Sequence, residues 1–382
     1  MMQATAIKQV LRSTFGVLDP PLMAIALALL AYALVVVISA TADFPSRLNQ
    51  HFANLAVALG AMLVVARVPP QRLMTLALPA YLVGLALLVG VAVAGDVSKG
   101  ARRWLNLGFM RIQPSEMMKI AVPLMLAWYF HKHEAVLRAR DFLVAGLILL
   151  LPVALIAKQP DLGTAILVLA AGVFVIFFAG LSYKLIMPVL LAAALGVGAL
   201  VYYGDHLCAD GVAWPGIKEY QKHRVCTLLD PSTDPLGKGF HIIQSTIAVG
   251  SGGIMGKGWM KGTQTHLEFI PERHTDFIFA VMAEEFGLAG AILLVLLYLA
   301  LIARGLMIAA QATMQFSRLL AGSISMIYFT YAFVNLGMVS GILPVVGVPL
   351  PFVSYGGTAL VTLCIGLGIL MSIRKHRRLA PD

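Results

Sequence analysis

The sequence predicts an all-α polytopic membrane protein. It should have ten transmembrane helices, a large extracytoplasmic loop between the seventh and eighth, and a re-entrant loop before the tenth. Three observations carry the prediction. Of 382 residues, 60% are hydrophobic and only 12% charged, more apolar surface than a soluble globular fold needs. The apolar residues come in runs of about 20, each long enough to cross about 30 Å of hydrocarbon. One region stays apolar while holding three prolines and four glycines, GILPVVGVPLPFVSYGG (341–357), and so cannot be a regular helix. The first 18 residues lack a short apolar core with a small-residue cleavage site, so no cleavable leader is expected. Residues 1–382 read as one transmembrane domain that contains the loop 204–274.

The predicted spans are 21–41, 51–68, 73–94, 114–130, 141–157, 162–181, 185–203, 275–303, 317–340 and 355–373. Asp19-Pro20-Pro21 opens the first, since proline suits an opening turn. An even number of spans puts both termini on one side, and lysine and arginine counting chooses that side. With the termini inside, 14 basic residues face the cytoplasm, from Lys8 and Arg12 to Arg374, Lys375, Arg377 and Arg378. The short outer connections hold six: Arg47, Lys99, Arg102, Arg103, Arg111 and Lys158. Loop 204–274 is too long to count. The net charge of +10 reads first as this topology and as attraction to anionic lipid.

Four of the outer basic residues crowd into 95–113, against the usual bias, which suggests an anionic ligand on that face. Three further polar groups follow. In RIQPSEMMK (111–119), Pro114 and Glu116 suit a helix start, but Lys119 lies one turn deeper, where a charge needs a partner. Glu116 and Lys119 stand three apart and can pair. In KQPDLGTA (158–165), Asp161 is placed to cap the next helix, or to border a polar cavity with Lys158. Asn335, near the end of the ninth span, can face the space lined by 341–357, where irregular backbone is tolerated only if buried in protein or facing a cavity.

The segment PERHTDFIFAVMAEEFG (271–287) concentrates the most chemistry. Asp276 stands at the mouth of the eighth span, just after Arg273 and His274. One reading is an acid favoured by the helix dipole and paired with those cations. The other is a general base at the water–lipid boundary. Glu284 and Glu285, roughly 12 Å deeper along the helix axis, need polar partners that the sequence does not name. GSGGIMGKGW (250–259) fails the phosphate-loop template, with Ser251 for the first glycine and Gly258 for the serine or threonine. It reads instead as a compact loop needing positive φ, with Lys257 and Lys261 able to meet phosphate. Cys208 and Cys226 share the long loop, and their spacing leaves open whether they pair. Cys364 reads as a packed thiol.

The blocks KGARRWLNLGFMRIQPSEMMK (99–119), KQPDLGTA (158–165), YQKHRVCTLLDPSTDPLGKGFHIIQS (220–245), VGSGGIMGKGWMKGTQTHLEFIPERHTDFIFAVMAEEFG (249–287) and LPVVGVPLPFVSYGG (343–357) together resemble the SEDS family (shape, elongation, division and sporulation). Arg273 favours its elongation branch over the division branch, where a smaller residue is usual. The resemblance implies ten membrane helices with a large outer loop. The activity it implies is peptidoglycan glycosyltransfer on lipid II, a disaccharide-pentapeptide on undecaprenyl diphosphate. It makes Asp276 the essential aspartate, and Glu116, Lys119 and Asp161 cavity residues. It implies a class B penicillin-binding protein, a transpeptidase, as partner.

That chemistry suits the residues. A sugar hydroxyl attacks an anomeric carbon and diphosphate leaves. Diphosphate is already a good leaving group, so cations suffice where glycoside hydrolysis needs a second carboxyl. Arg102, Arg103, Lys119, Arg224 or a divalent cation (Mg or Mn) would steady it, with Arg273 and His274 beside the base. Two other functions compete. A lipid flippase or secondary transporter shares the polar cavity, and Glu284 and Glu285 are its best marks of a path. A non-enzymatic scaffold would need no placed base.

Overall fold

The computed structural model describes residues 16–377 except 99–100, 107–110, 135–136, 210, 213, 215–218, 235–236, 268 and 271. Lys8, Arg12, Lys99 and Arg378 of the charge count lie outside the described residues. The chain runs α1 (Pro20–Ala40), α2 (Pro45–Val65), α3 (Pro70–Ala94), a small sheet, α4 (Pro114–Lys132), α5 (Ala139–Lys158), α6 (Leu162–Phe178) and α7 (Tyr183–Tyr202). Short pieces follow in the long loop: α8 (Gly204–Leu207), α9 (Glu219–Leu229), α10 (Lys238–Ser251) and α11 (Thr263–His266). Three long helices complete it: α12 (Ile278–Ala310), α13 (Gln315–Val339) and α14 (Thr358–His376).

A long helix therefore stands at each predicted position. Eight are long and apolar enough to cross a membrane. The other two are α6, which has only 17 residues, and α4, which carries Glu116 and Lys119. Prolines open α1 to α4, where the missing N–H costs nothing. The all-α expectation needs one amendment. Residues 96–112 hold an antiparallel sheet, β1 (Asp96–Ser98), β2 (Ala101–Asn106) and β3 (Arg111–Ile112) in that order, with Val97 opposite Arg102 and Asn106 opposite Arg111. Strands this short leave too little alternation to read in a sequence.

The enclosed centre is α4, α13 and α14. Helix α13 packs on α12, α6 and α4, α14 on α2, and α1 on α12. Helix α7 buries none of its described side chains and presents Leu185, Val189 and Leu195 outward. Its apolar surface matches a hydrocarbon surround.

Helix α12 is broken at Gly287 (φ 64°, ψ −159°). The loop 252–262 docks into the break. Lys257 N–H donates to the Glu284 carbonyl (3.0 Å) and Gly258 N–H to the Glu285 carbonyl (2.9 Å), while Leu288 and Ala289 N–H donate back to the carbonyls of Gly253 and Ile254 (2.9 and 3.0 Å). Backbone groups freed by the kink are thus satisfied from within the protein. The approach is close enough that a Cβ on Gly256 (φ 79°) would lie 2.1 Å from the Glu285 carbonyl oxygen. The expected positive-φ loop is present at Gly253, Gly256 and Gly258.

Lys257 of the docked loop, the start of α11 and Ser39 of α1 supply the partners that Glu284 and Glu285 needed. Lys257 Nζ donates to Glu284 Oε1 (2.7 Å), as do the Thr263 hydroxyl (3.1 Å) and the Gln264 N–H (2.9 Å). Thr265 donates to Oε2 from its N–H (3.2 Å) and its hydroxyl (3.0 Å). The Ser39 hydroxyl donates to Glu285. Lys257, read from sequence as a phosphate contact, is therefore the counter-ion of Glu284.

Asp19 fixes the opposite end of the bundle. It caps α1 through the Leu22 N–H (3.0 Å) and takes two bonds from Arg304 of α12 (3.0 and 2.7 Å) and one from Arg374 of α14. Burial alone would raise its pKa. The Arg304 and Leu22 hydrogen bonds and the two guanidinium charges outweigh that and hold it below its ordinary value. A depressed carboxyl adds stability above its unfolded pKa and loses it as pH falls through the folded one. Asp19→Asn is therefore expected to melt below wild type at pH 7. The gap should begin to narrow as pH falls below about 4 and close only below the depressed folded pKa, as thermal denaturation in detergent from pH 7 downward would read.

Cys208 and Cys226 are joined, tying the end of α8 to α9. Cys364 is free and buried. Non-reducing peptide mapping is expected to recover Cys208 and Cys226 in one linked fragment that separates on reduction. The linkage spans a sequence separation of 18 residues, for which chain entropy gives about 3 kcal/mol.

Candidate active site

The eighth span starts later than the sequence suggested, because residues 272–277 form turns before α12. Phe277 N–H and Thr275 N–H both reach the Glu272 carbonyl (3.4 and 3.0 Å). Asp276 sits half-buried in this turn, directly ahead of the helix rather than within it.

The turn is stapled to residues 343–357, which run without helix through the interior. Val348, Leu350, Phe352 and Val353 are each 1% exposed. Ser354 Oγ donates to the Thr275 carbonyl (2.6 Å), and Tyr355 N–H to the His274 carbonyl (2.8 Å). Asn335 Nδ2 donates to the carbonyls of Asp276 (2.9 Å) and Val348 (2.7 Å). Gly347 (φ 74°) lies beside the carboxylate, so that a Cβ there would come within 3.3 Å of Asp276 Oδ2. The tail of the loop is held by Tyr298, whose hydroxyl donates to the Pro351 carbonyl (2.6 Å).

A buried cation stands against the same helix α13. Lys119 Nζ donates to Glu116 Oε1 (2.6 Å) and to the Tyr331 hydroxyl (2.5 Å), and lies 4.9 Å from the Tyr331 ring centre. Pairing is what makes a lysine tolerable at this depth. The second oxygen of Glu116 and the Ser115 hydroxyl have no hydrogen-bond partner among the described residues. Asp161 caps α6 through the Thr164 N–H (3.3 Å) and also accepts from Gln113 Nε2 (3.0 Å), the residue before α4. Arg103 Nη2 donates to the Pro160 carbonyl (2.8 Å). The start of α6 abuts the same loop as Asp276: a Cβ on Gly163 would lie 2.7 Å from the Val346 carbonyl oxygen.

Asp276, Asn335, Glu116, Lys119, Asp161 and Arg103 thus belong to one connected frame. The remaining candidates are placed differently. Arg273 is buried and ties the turn to Asp43 and to the Thr265 carbonyl, so it works as a strut and not as an open cation. The His274 ring takes a hydrogen bond from Arg47 and meets Tyr355 edge-on. Arg102 is exposed on β2. Arg224 lies on α9, which packs on α10 and the turn at 231–233. Asn335, expected to face a cavity, is fully buried and bonds backbone instead.

Three members of the site carry little signal in the sequence. Gln113 is hidden beside Pro114 in a motif read for its charges. Tyr331 looks like one more aromatic in an apolar helix, although it stands one turn before Asn335. Arg47 enters the sequence reading only through topology.

Among the described residues no three His, Cys, Asp or Glu side chains cluster to hold a metal ion.

A bundle of long apolar helices around a half-buried carboxylate and a paired buried lysine defines a multi-pass helical membrane protein with a polar site at one end. The chain belongs to the FtsW/RodA/SpoVE family of cell cycle proteins, whose model matches residues 20–379. It is 49% identical to the peptidoglycan glycosyltransferase MrdB of Escherichia coli (strain K12), over 95% of each chain. It is 34% identical to the peptidoglycan glycosyltransferase RodA of Treponema pallidum (strain Nichols), over 76% of this chain and 81% of that one. Among solved structures, a chain from a peptidoglycan synthase complex aligns with TM-score 0.79 at 35% identity, covering 95% of this chain and 99% of that one. The Rod shape determining protein RodA of Thermus thermophilus aligns with TM-score 0.70 at 29% identity, covering 94% and 97%.

Proposed function

We propose that this chain is a peptidoglycan glycosyltransferase that polymerises lipid II into glycan strands during cell-wall elongation, with Asp276 as general base. The observation that carries the reading is the mounting of Asp276. Its turn is clamped by Asn335 and Ser354, while Asp276 lies half-buried with its carboxylate beside Gly347. A carboxylate so held can accept a proton from a sugar hydroxyl in a fixed pose.

In the step itself, the acceptor hydroxyl oxygen bonds to the donor's anomeric carbon, and its proton passes to the Asp276 carboxylate. The anomeric C–O bond to undecaprenyl diphosphate breaks, and its electron pair leaves with the diphosphate. Attack opposite the leaving group inverts the α-linked donor to a β-linked glycan. Lys119 and Arg103 supply positive charge on the frame, and a divalent cation bound with the diphosphate would add more. The lipid tail accounts for a site at a membrane boundary.

We place the chain in the bacterial inner membrane with both termini in the cytoplasm and the Asp276 turn facing out. A class B penicillin-binding protein transpeptidase fits as partner, as the similarity to a chain of a synthase complex suggests. The flippase reading loses its main support. Glu284 and Glu285, which would have marked a path, are 0% and 1% exposed, Glu284 on Lys257 and loop donors and Glu285 on Ser39.

Purified protein with its partner, given labelled lipid II in detergent, is expected to produce a polymer ladder. Reconstituted vesicles that move lipid II between leaflets without forming polymer would refute the reading and favour transport.

A further inference from the structure

Helix α13 carries two side chains that point into the same frame from successive turns. Tyr331 and Asn335 are four residues apart, about 6 Å between neighbouring turns on one helix face, and both are completely buried. Tyr331 accepts from Lys119. Asn335 spends one nitrogen on two carbonyls from separate segments, Asp276 before α12 and Val348 in the irregular loop.

The helix that bears them is itself fastened to its neighbours. Ser323 Oγ donates to the Ala171 carbonyl of α6 (2.7 Å), and Ser245 Oγ of α10 to the Val339 carbonyl at the helix end (3.0 Å). Asn335 therefore couples the Asp276 peptide, and the loop facing its carboxylate, to a helix that does not move freely.

We infer that Tyr331 and Asn335 are positioning residues that hold the buried cation Lys119 and the base Asp276 in a fixed register on α13. The inference rests on the proposed glycosyltransfer and assigns neither residue a contact with substrate. Reaction requires the hydroxyl, the anomeric carbon and the base in line, and a displacement of about 1 Å can cost on the order of 100-fold in rate. Loss of the Asn335 clamp frees the Asp276 turn without removing the carboxylate.

The test measures lipid II polymerisation by the full chain with its partner, for Asn335→Ala, Asn335→Asp and Tyr331→Phe. Asn335→Asp keeps the shape and removes both donated bonds. Phe333→Ala, an exposed position on the same helix, is the control. The expected result is kcat lowered by about 10- to 100-fold in both Asn335 variants. KM and lipid II binding should stay within about twofold, Tyr331→Phe should show a smaller kcat loss, and the control should match wild type. Wild-type kcat in Asn335→Asp overturns the inference. A raised KM at unchanged kcat also overturns it, because Asn335 would then bind substrate. If neither Asn335 variant folds, Tyr331→Phe decides: lowered kcat at constant KM supports the register, and wild-type kinetics overturn it. Polymer from wild type and all variants alike removes the inference alone. No polymer from wild type removes the proposed function and this inference with it.

Discussion

Lys257→Met is expected to destabilise the protein by about 1–3 kcal/mol, because it strips the buried Glu284 carboxylate of its partly exposed cation. Glu284 is wholly enclosed, and Lys257 is its cationic partner. The other donors, from Thr263, Gln264 and Thr265, are neutral and cannot balance the charge. The damage would spread, because Glu284 also anchors the loop that satisfies the backbone at the Gly287 break. Without that loop, freed N–H and C=O groups would sit in a low-dielectric setting. Lys261→Met, at an exposed position in the same loop, should stay within about 0.5 kcal/mol of wild type. The double variant Lys257→Met with Glu284→Gln should recover part of the loss, since no charge is left unpaired. Thermal unfolding in detergent separates the three. Equal stability of Lys257→Met and Lys261→Met would show that the pair does not anchor the loop.

The helices were legible because membrane burial writes itself into composition: runs of about 20 apolar residues are the direct mark of a hydrocarbon crossing. Proline placement marked the starts of α1 and α4 to within a residue. Helix α12 was harder. Its start slipped from 275 to 278 because the turn at 272–277 takes its shape from Ser354, Tyr355 and Asn335, all distant in sequence. Its break at Gly287 stayed hidden for the same reason, since one glycine in a long apolar run carries no sign that another loop will bond to it. Charge drew attention to Glu116, Lys119, Asp161 and Asp276, because a charge at membrane depth demands a partner. The neutral members, Gln113, Tyr331 and the structural role of Asn335, gave no such signal. Arg273 shows the converse. A cation near a candidate base looks catalytic in one dimension, whereas in space Arg273 is consumed by Asp43 and Thr265.

Asp276→Asn should remove polymerisation while leaving the fold intact. The two side chains have nearly the same shape, and the Asn335 clamp and the bonds of the neighbouring residues act on the backbone. The amide cannot take the acceptor's proton. Loss of a general base costs on the order of 10²- to 10⁴-fold. Diphosphate needs no acid to depart, so the whole loss falls on the base. Asp276→Glu keeps the base but moves its oxygens by one methylene. It should retain a trace of activity, and the asparagine variant none above background.

The most direct measurement is a gel of labelled lipid II products, run side by side for the wild-type and Asp276→Asn complexes after both are shown to elute and melt alike. A ladder of long glycan from wild type and unreacted lipid II from the variant is the expected outcome. Equal ladders in both lanes would mean that the carboxylate at the mouth of α12 takes no proton in this reaction.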